Sequence, residues 1–75
     1  MSRNFKKRVY ETLGIMLKNL RKEQGVSVAD IALHTDLSMQ TINELENGYE
    51  KSYNQYKSLF KFYHKTFDIV LKDIN

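Results

Sequence analysis

The sequence predicts an all-α fold, a compact bundle of about five short helices around one small core. Three observations carry this. Proline is absent from all 75 residues, and the three glycines, Gly14, Gly25 and Gly48, fall mostly where helices would end. Apolar residues recur at three- and four-residue intervals, the spacing of a helix buried on one side. No stretch shows the strict alternation of a half-buried strand.

The first helix starts between Asn4 and Tyr10 and runs to Gln24, with Gly25 as its stop. Leu13, Leu17 and Leu20 form its core stripe, with Val9, Tyr10 and Met16 beside them, and Lys22 complements the negative helix end. The second covers residues 28–35. Ser27 can cap it and Asp30 holds the capping-box position, while Val28, Ile31 and Ala32 mark its apolar face. Asp36-Leu37-Ser38 breaks the run, and Ser38 can cap a third helix over residues 39–47, where Met39, Ile42, Leu45 and Glu46 keep helical spacing. Gly48 supplies the left-handed position that ends it. Two helices this short, joined by about four residues, have the geometry of a helix-turn-helix. One helix of such a pair presents a polar face that can enter a DNA major groove. A loop over 49–53 leads to a fourth helix at 54–63, with Tyr56, Leu59, Phe60 and Tyr63 on its inner face. Thr66 can cap a last helix over 67–73, facing inward through Phe67, Val70 and Leu71.

Charge is distributed unevenly. Residues 1–25 carry +5, residues 26–50 carry −5 and residues 51–75 carry +3, for a net +3. The basic flanks suit contact with a phosphate backbone; the acidic middle opposes it. In residues 1–8, MSRNFKKR, the four basic side chains fit either a solvated first turn or an arm reaching into a DNA groove. Residues 1–12 are thus an arm or an extension of the first helix, and residues 13–75 the domain proper.

Several classes are disfavoured. No cysteine is present, so neither disulfides nor a thiolate metal site supports the core, which fits a reducing cytoplasm. His34 and His64 stand thirty residues apart without ligating partners and read as bystanders, so no metal or cofactor is expected. No apolar run approaches the ~20 residues of a membrane span. No secretory h-region follows the basic N-terminus. An enzyme is not expected: no acid–base pair, nucleophile set or phosphate-cradling glycine loop can be assembled. Five tyrosines and four phenylalanines could stack on single-stranded bases, but most fall at core positions of the fourth helix. Tyr49 and Tyr53 are the exceptions, free to touch DNA or a second subunit.

The run LGIMLKNLRKEQGVSVADIALHTDLSMQTINELENG, residues 13–48, resembles the Cro/phage-repressor type of helix-turn-helix domain (lambda-repressor-like). Its most specific pieces are LKNLRKEQGVS, the IAxxTxLSxxTI spacing and ELENG, and a weaker likeness continues to about residue 71. The resemblance implies a five-helix domain that works as a dimer on a pseudo-palindromic operator. It places Met39, Gln40, Asn43 and Glu44 at the groove-facing positions of the recognition helix. Their chemistry suits this: the Gln40 amide matches the N6/N7 edge of adenine, Glu44 can accept from cytosine N4, and Met39 can pack on a thymine methyl. Asn43 is equally an ordinary surface residue. Ser38, Thr41 and Asn47 suit phosphate oxygens, although capping alone would explain Ser38 and C-capping rivals the DNA role of Asn47. Lys51, Lys57 and the basic residues of 3–8 would add the phosphate term. Arg21 and Glu46 match a structural ion pair between the first and third helices, and both lie on otherwise apolar faces.

Three departures stand out. Val28 occupies a position where glutamine commonly touches the DNA backbone. Asp36 replaces a common turn glycine, which predicts a strained or reshaped turn. His64-Lys65 stands where glycine and an apolar residue are usual.

The sequence therefore predicts a cytoplasmic regulator of transcription, a dimeric repressor or autoregulator that binds double-stranded DNA. The dimer contact is expected in the aromatic-rich C-terminal third, residues 60–74. The alternative is a protein-interaction module, antitoxin-like or anti-repressor-like, that keeps the fold but has a protein partner and weak DNA affinity.

Overall fold

A computed structural model describes residues 3–67, with side chains from Phe5 onward. The described residues form four helices: α1 (Arg3–Gln24), α2 (Val28–His34), α3 (Met39–Glu46) and α4 (Tyr53–Phe62). The class is all-α, and the described residues hold four helices where about five were expected for the chain. Residues 68–73 of the expected fifth helix lie outside the described residues. Its first member, Phe67, is not helical; its ring meets Phe60 at 5.2 Å and Tyr53 at 6.3 Å, both edge-on.

α1 is continuous from Arg3, so residues 3–12 extend this helix. Phe5 to Arg8 are exposed, and the buried face begins at Tyr10 and continues through Leu13 and Leu17. Leu20 and Val9 pack at its margin, whereas Met16 lies off this face and is 46% exposed. Gly14, the one glycine away from a helix end, sits in the middle of α1. The last turn of α3 comes so close there that a Cβ on Gly14 would stand 2.8 Å from backbone atoms of Leu45, Glu46 and Gly48.

Three of the four helices end in the same way. Gly25 (φ 65°), Gly48 (φ 76°) and His64 (φ 60°) each adopt the left-handed conformation just past α1, α3 and α4. Each gives the paired 6→1 and 5→2 bonds of a Schellman motif. After α3 these run from Tyr49 N to Glu44 O at 3.0 Å and from Gly48 N to Leu45 O at 3.0 Å. After α4 they run from Lys65 N to Phe60 O at 3.0 Å and from His64 N to Lys61 O at 2.9 Å. His64 therefore adopts, with a Cβ, the geometry that glycine adopts freely.

α2 ends differently. The Thr35 hydroxyl donates to Ile31 O at 2.9 Å and accepts from Leu37 N at 3.2 Å. This hydroxyl secures the turn, so Asp36 does not enter left-handed space and the expected strain there is absent. Ser27 caps α2 within a full capping box with Asp30, and Ser38 caps α3. α4 begins at Tyr53, earlier than its apolar spacing indicates, because Ser52 accepts a bond from Gln55 N at 3.3 Å.

α3 packs against all three other helices. Leu17, Ile31, Ile42, Leu45, Tyr56 and Leu59 are fully buried between them, and Phe60 nearly so. Each such side chain contributes about 1.5–3 kcal/mol of burial. Tyr53 leaves the loop it was expected to occupy and stacks on Tyr10 at 5.3 Å. Tyr56 donates its phenol to Tyr49 O at 2.6 Å, tying the chain after α3 to α4.

Candidate nucleic-acid interface

α3 is amphipathic, with one face against α1, α2 and α4 and the other exposed. Ile42, Leu45 and Glu46 turn into the core, while Met39, Gln40, Asn43 and Asn47 are exposed. With 3.6 residues per turn, these four and Glu44 fall within an arc of about 140°. The structure thus brings the expected base-reading residues Met39, Gln40, Asn43 and Glu44 onto one face. Ser38 and Thr41 flank that face, and Asn47 closes it at the C-terminal end.

At the start of α3, Ser38 Oγ accepts from Thr41 N at 3.1 Å and donates to Thr41 Oγ1 at 2.9 Å. The Ser38 proton is spent on this last bond, but the Thr41 hydroxyl keeps its own proton for an outside acceptor. At the far end, Asn47 Nδ2 donates to Asn43 O at 2.8 Å. That bond satisfies a helix-end carbonyl and leaves the amide oxygen of Asn47 free. Val28 is half-buried against the core, so the first residue of α2 is committed to packing.

Arg21 and Glu46 meet side by side. Arg21 Nε lies 2.8 Å from Glu46 Oε2 and its Nη2 3.1 Å from Oε1. The Glu46 side chain is 3% exposed and that of Arg21 25%. The bidentate bond raises the Arg21 pKa, with burial working against it. This pair locks α1 to the inner face of α3 and so fixes which face α3 presents.

A second network lies on the outer face. Lys51 Nζ stands 2.7 Å from Glu44 Oε1, and Gln40 Nε2 donates to Glu44 Oε2 at 3.3 Å. Lys51, and then Gln40, hold the Glu44 carboxyl below its usual pKa. Sequence reasoning missed this link because seven residues and a helix end separate Glu44 from Lys51, so no periodic rule pairs them. Gln40 and Glu44, four apart on one helix, are a pairing such a rule does allow.

These contacts change the picture of the acidic segment. Glu44 meets Lys51, Glu46 meets Arg21, and Glu50 lies 3.5 Å from Lys6. Asp30 turns back to its own helix start, accepting from Ser27 N at 3.4 Å. Only Asp36 of the five acidic residues has neither kind of partner among the described residues.

A further surface lies between the end of α2 and α4. It is an open groove whose lining includes Leu33, His34, Asp36, Lys61 and Phe62. Leu33 is 80% exposed there, and His34 Nδ1 is 2.9 Å from Asp30 O. Among the described residues no group of His, Asp and Glu side chains comes together that could hold a metal ion, and no helix is long and apolar enough to cross a membrane.

Four helices, with α2 and α3 joined by a short polar turn and α3 presenting a polar face, define a helix-turn-helix domain. A model of the Cro/C1-type helix-turn-helix family matches residues 17–70, and the chain belongs to that family. No curated protein and no solved structure matches the chain. The family is one of DNA-binding domains rather than of enzymes.

Proposed function

We propose that this protein is a sequence-specific regulator of transcription, a dimeric repressor or autoregulator that reads a pseudo-palindromic operator through α3. The observation that carries this reading is the outer face of α3, where Met39, Gln40 and Asn43 stand exposed on a helix fixed from behind by Arg21–Glu46. Gln40 and Asn43 offer amides to base edges, Met39 offers an apolar contact to a thymine methyl, and Glu44 can accept from cytosine. Thr41, Asn47 and the helix start face phosphates, with basic residues of α1 and Lys57 adding charge, while Ser38 is spent on Thr41 and Lys51 on Glu44. Residues 13–75 form the binding domain and residues 1–12 its basic extension. Two copies are needed because one helix reads only a few base pairs, and half-sites about one turn apart require a dimer. We assign its contact to the C-terminal third, residues 60–74, although Phe60 and Tyr63 are committed to the core and cannot contribute to it. A cytoplasmic place of action follows from the DNA target.

A second reading, a protein-interaction module with weak DNA affinity, draws support from Leu33, 80% exposed at the groove between α2 and α4.

Selection from a random pool of duplexes separates the two. The proposal expects a symmetric motif whose affinity survives physiological salt, with Gln40→Ala relaxing preference at one position per half-site by ~1–3 kcal/mol. An unenriched pool, with binding that vanishes at physiological salt, would discard it in favour of the protein partner.

A further inference from the structure

Two side chains on the outer face of α3 and one from the segment after it are bonded in series. Lys51 Nζ is 2.7 Å from Glu44 Oε1, and Glu44 Oε2 accepts from Gln40 Nε2 at 3.3 Å. The Lys51 side chain is 32% exposed and that of Glu44 21%, so both are partly withdrawn from solvent while Gln40 is exposed. A glutamine amide on its own is ambiguous: rotating it by half a turn exchanges a donor for an acceptor. That exchange matters on a purine edge. Adenine offers an amino donor at position 6 and guanine a carbonyl acceptor, while both offer the acceptor N7.

We propose that Lys51 and Glu44 are positioning residues for Gln40, and that the pair sets which purine α3 prefers. A carboxylate can only accept, so the Gln40 amide must turn its NH2 toward Glu44. One N–H is spent on that bond. The oxygen and the second N–H remain, in a fixed order along the helix. Lys51 holds the Glu44 carboxylate in place; its ammonium is thereby spent within the protein rather than on a phosphate. This inference rests on the DNA-reading function proposed above and assigns the source of its specificity.

The test compares wild type with Lys51→Met, Lys51→Arg, Gln40→Ala and the double variant Lys51→Met/Gln40→Ala. Each is measured on the selected duplex and on the same duplex with the Gln40-read purine exchanged, at several salt concentrations. The wild type is expected to discriminate between the purines by roughly ten-fold or more, the size of a good bidentate contact. Lys51→Met is expected to shrink that ratio to within about two-fold while keeping the wild-type salt slope. Lys51→Arg restores the ratio, and Lys51→Met adds nothing to Gln40→Ala. Uniform weakening on both duplexes, with a salt slope smaller by about one, would identify Lys51 as a phosphate contact and overturn the proposal.

NMR of the free protein keeps the test independent of DNA. In Lys51→Met the Glu44 carboxyl is expected to titrate nearer its ordinary value, and the Gln40 side-chain amide resonances to shift. Unmoved signals refute the linkage itself. Shifted signals in a protein that binds no duplex specifically leave the linkage standing and remove the DNA reading beneath it.

Discussion

Gly14→Ala is the sharpest test of how α1 and α3 meet. In a helix interior, replacing glycine by alanine stabilises by about 1 kcal/mol when nothing else changes. Here the new methyl would stand 2.8 Å from Leu45 O, Glu46 O and Gly48 N at once. Ordinary contacts of carbon begin near ~3.5 Å, so each is short by roughly 0.6–0.7 Å. None of the three can swing aside, because all are backbone in a turn closed by Schellman bonds and held by Arg21–Glu46. Relief requires α3 to back away from α1, loosening Leu17 and Leu45. Overpacking of this kind costs about 1–3 kcal/mol, and three simultaneous backbone contacts place it at the upper end. Subtracting the helix-propensity gain leaves a net loss of about 2 kcal/mol. That is a large part of the ~4–11 kcal/mol expected for a chain of this length. The melting temperature should fall by about 8–16 °C.

Two other glycines serve as controls. Gly25 has φ 65° and open space around it, so Gly25→Ala meets only the conformational term, about 1 kcal/mol. Gly48 has φ 76° and a Cβ there would lie 2.9 Å from Glu11 Cα, so Gly48→Ala combines both penalties. Circular dichroism melts and urea titrations should rank the losses Gly48, then Gly14, then Gly25. A Gly14→Ala protein that melts at or above wild type would refute the close approach of the two helices.

Arg21→Ala should destabilise by about 3 kcal/mol, more than Glu46→Ala, because it strands a buried carboxylate whereas Arg21 can turn to water; equal losses in urea titrations would contradict this. Burial pushes Tyr56 and Tyr63 up to about 12. Both phenols are held neutral by the fold, so their contribution is whole below pH 10 and is lost as the pH rises from about 10 through about 12. Stability should fall there on the order of 1.4 kcal/mol per pH unit for each, and tyrosinate absorbance should appear for these two only as the chain unfolds. The Tyr63 hydroxyl is buried without a hydrogen-bond partner among the described residues. Tyr63→Phe should therefore raise stability by about 1 kcal/mol and soften the alkaline loss, and a destabilised variant would reveal a partner for that hydroxyl. His64→Gly should stabilise by about 0.5–1 kcal/mol by removing the left-handed strain, read as a melting temperature a few degrees higher.

Features encoded within four or five residues were legible in the sequence. Ser27, Asp30, Ser38 and Gly48 announce the ends of α2 and α3 because caps act on backbone groups one turn away. Tyr56, Leu59, Phe60 and Tyr63 announce the inner face of α4 because helical spacing brings them to one side. The same local logic, Ser52 three residues before Gln55, was available for the start of α4, but the apolar spacing pointed inside it. Gly14 shows the opposite case. Locally it is only a weak helix former, and the approach of Leu45 and Glu46, some thirty residues later, explains a glycine there. Thr35 likewise takes over the turn that a glycine at position 36 would have shaped, through bonds that composition does not reveal. For the candidate site, the exposed residues of α3 follow from amphipathicity, whereas Lys51–Glu44 depends on how the chain turns after Gly48.

That last distinction bears on whether the acidic middle of the chain forbids DNA. Counted along the sequence, residues 26–50 carry −5 and would repel phosphates. Counted in space, Glu46 is buried with Arg21 and Glu44 is bridged by Lys51, so two of the five charges are matched at 2.7–2.8 Å. Glu50 and Lys6 are both well exposed, and their 3.5 Å contact contributes little. Asp30 sits at the start of α2, where a helix end already carries positive potential. The field at the outer face of α3 is therefore much weaker than the linear count suggests. What remains basic is chiefly the exposed stretch of α1 from Lys6 to Arg8 and the lysines of α4. Recognition by this protein would thus combine a nearly neutral reading helix with cationic flanks. It follows that salt should act mainly through those flanks: neutralising Lys7 and Arg8 should reduce the salt slope by about one per lost contact while leaving base preference intact.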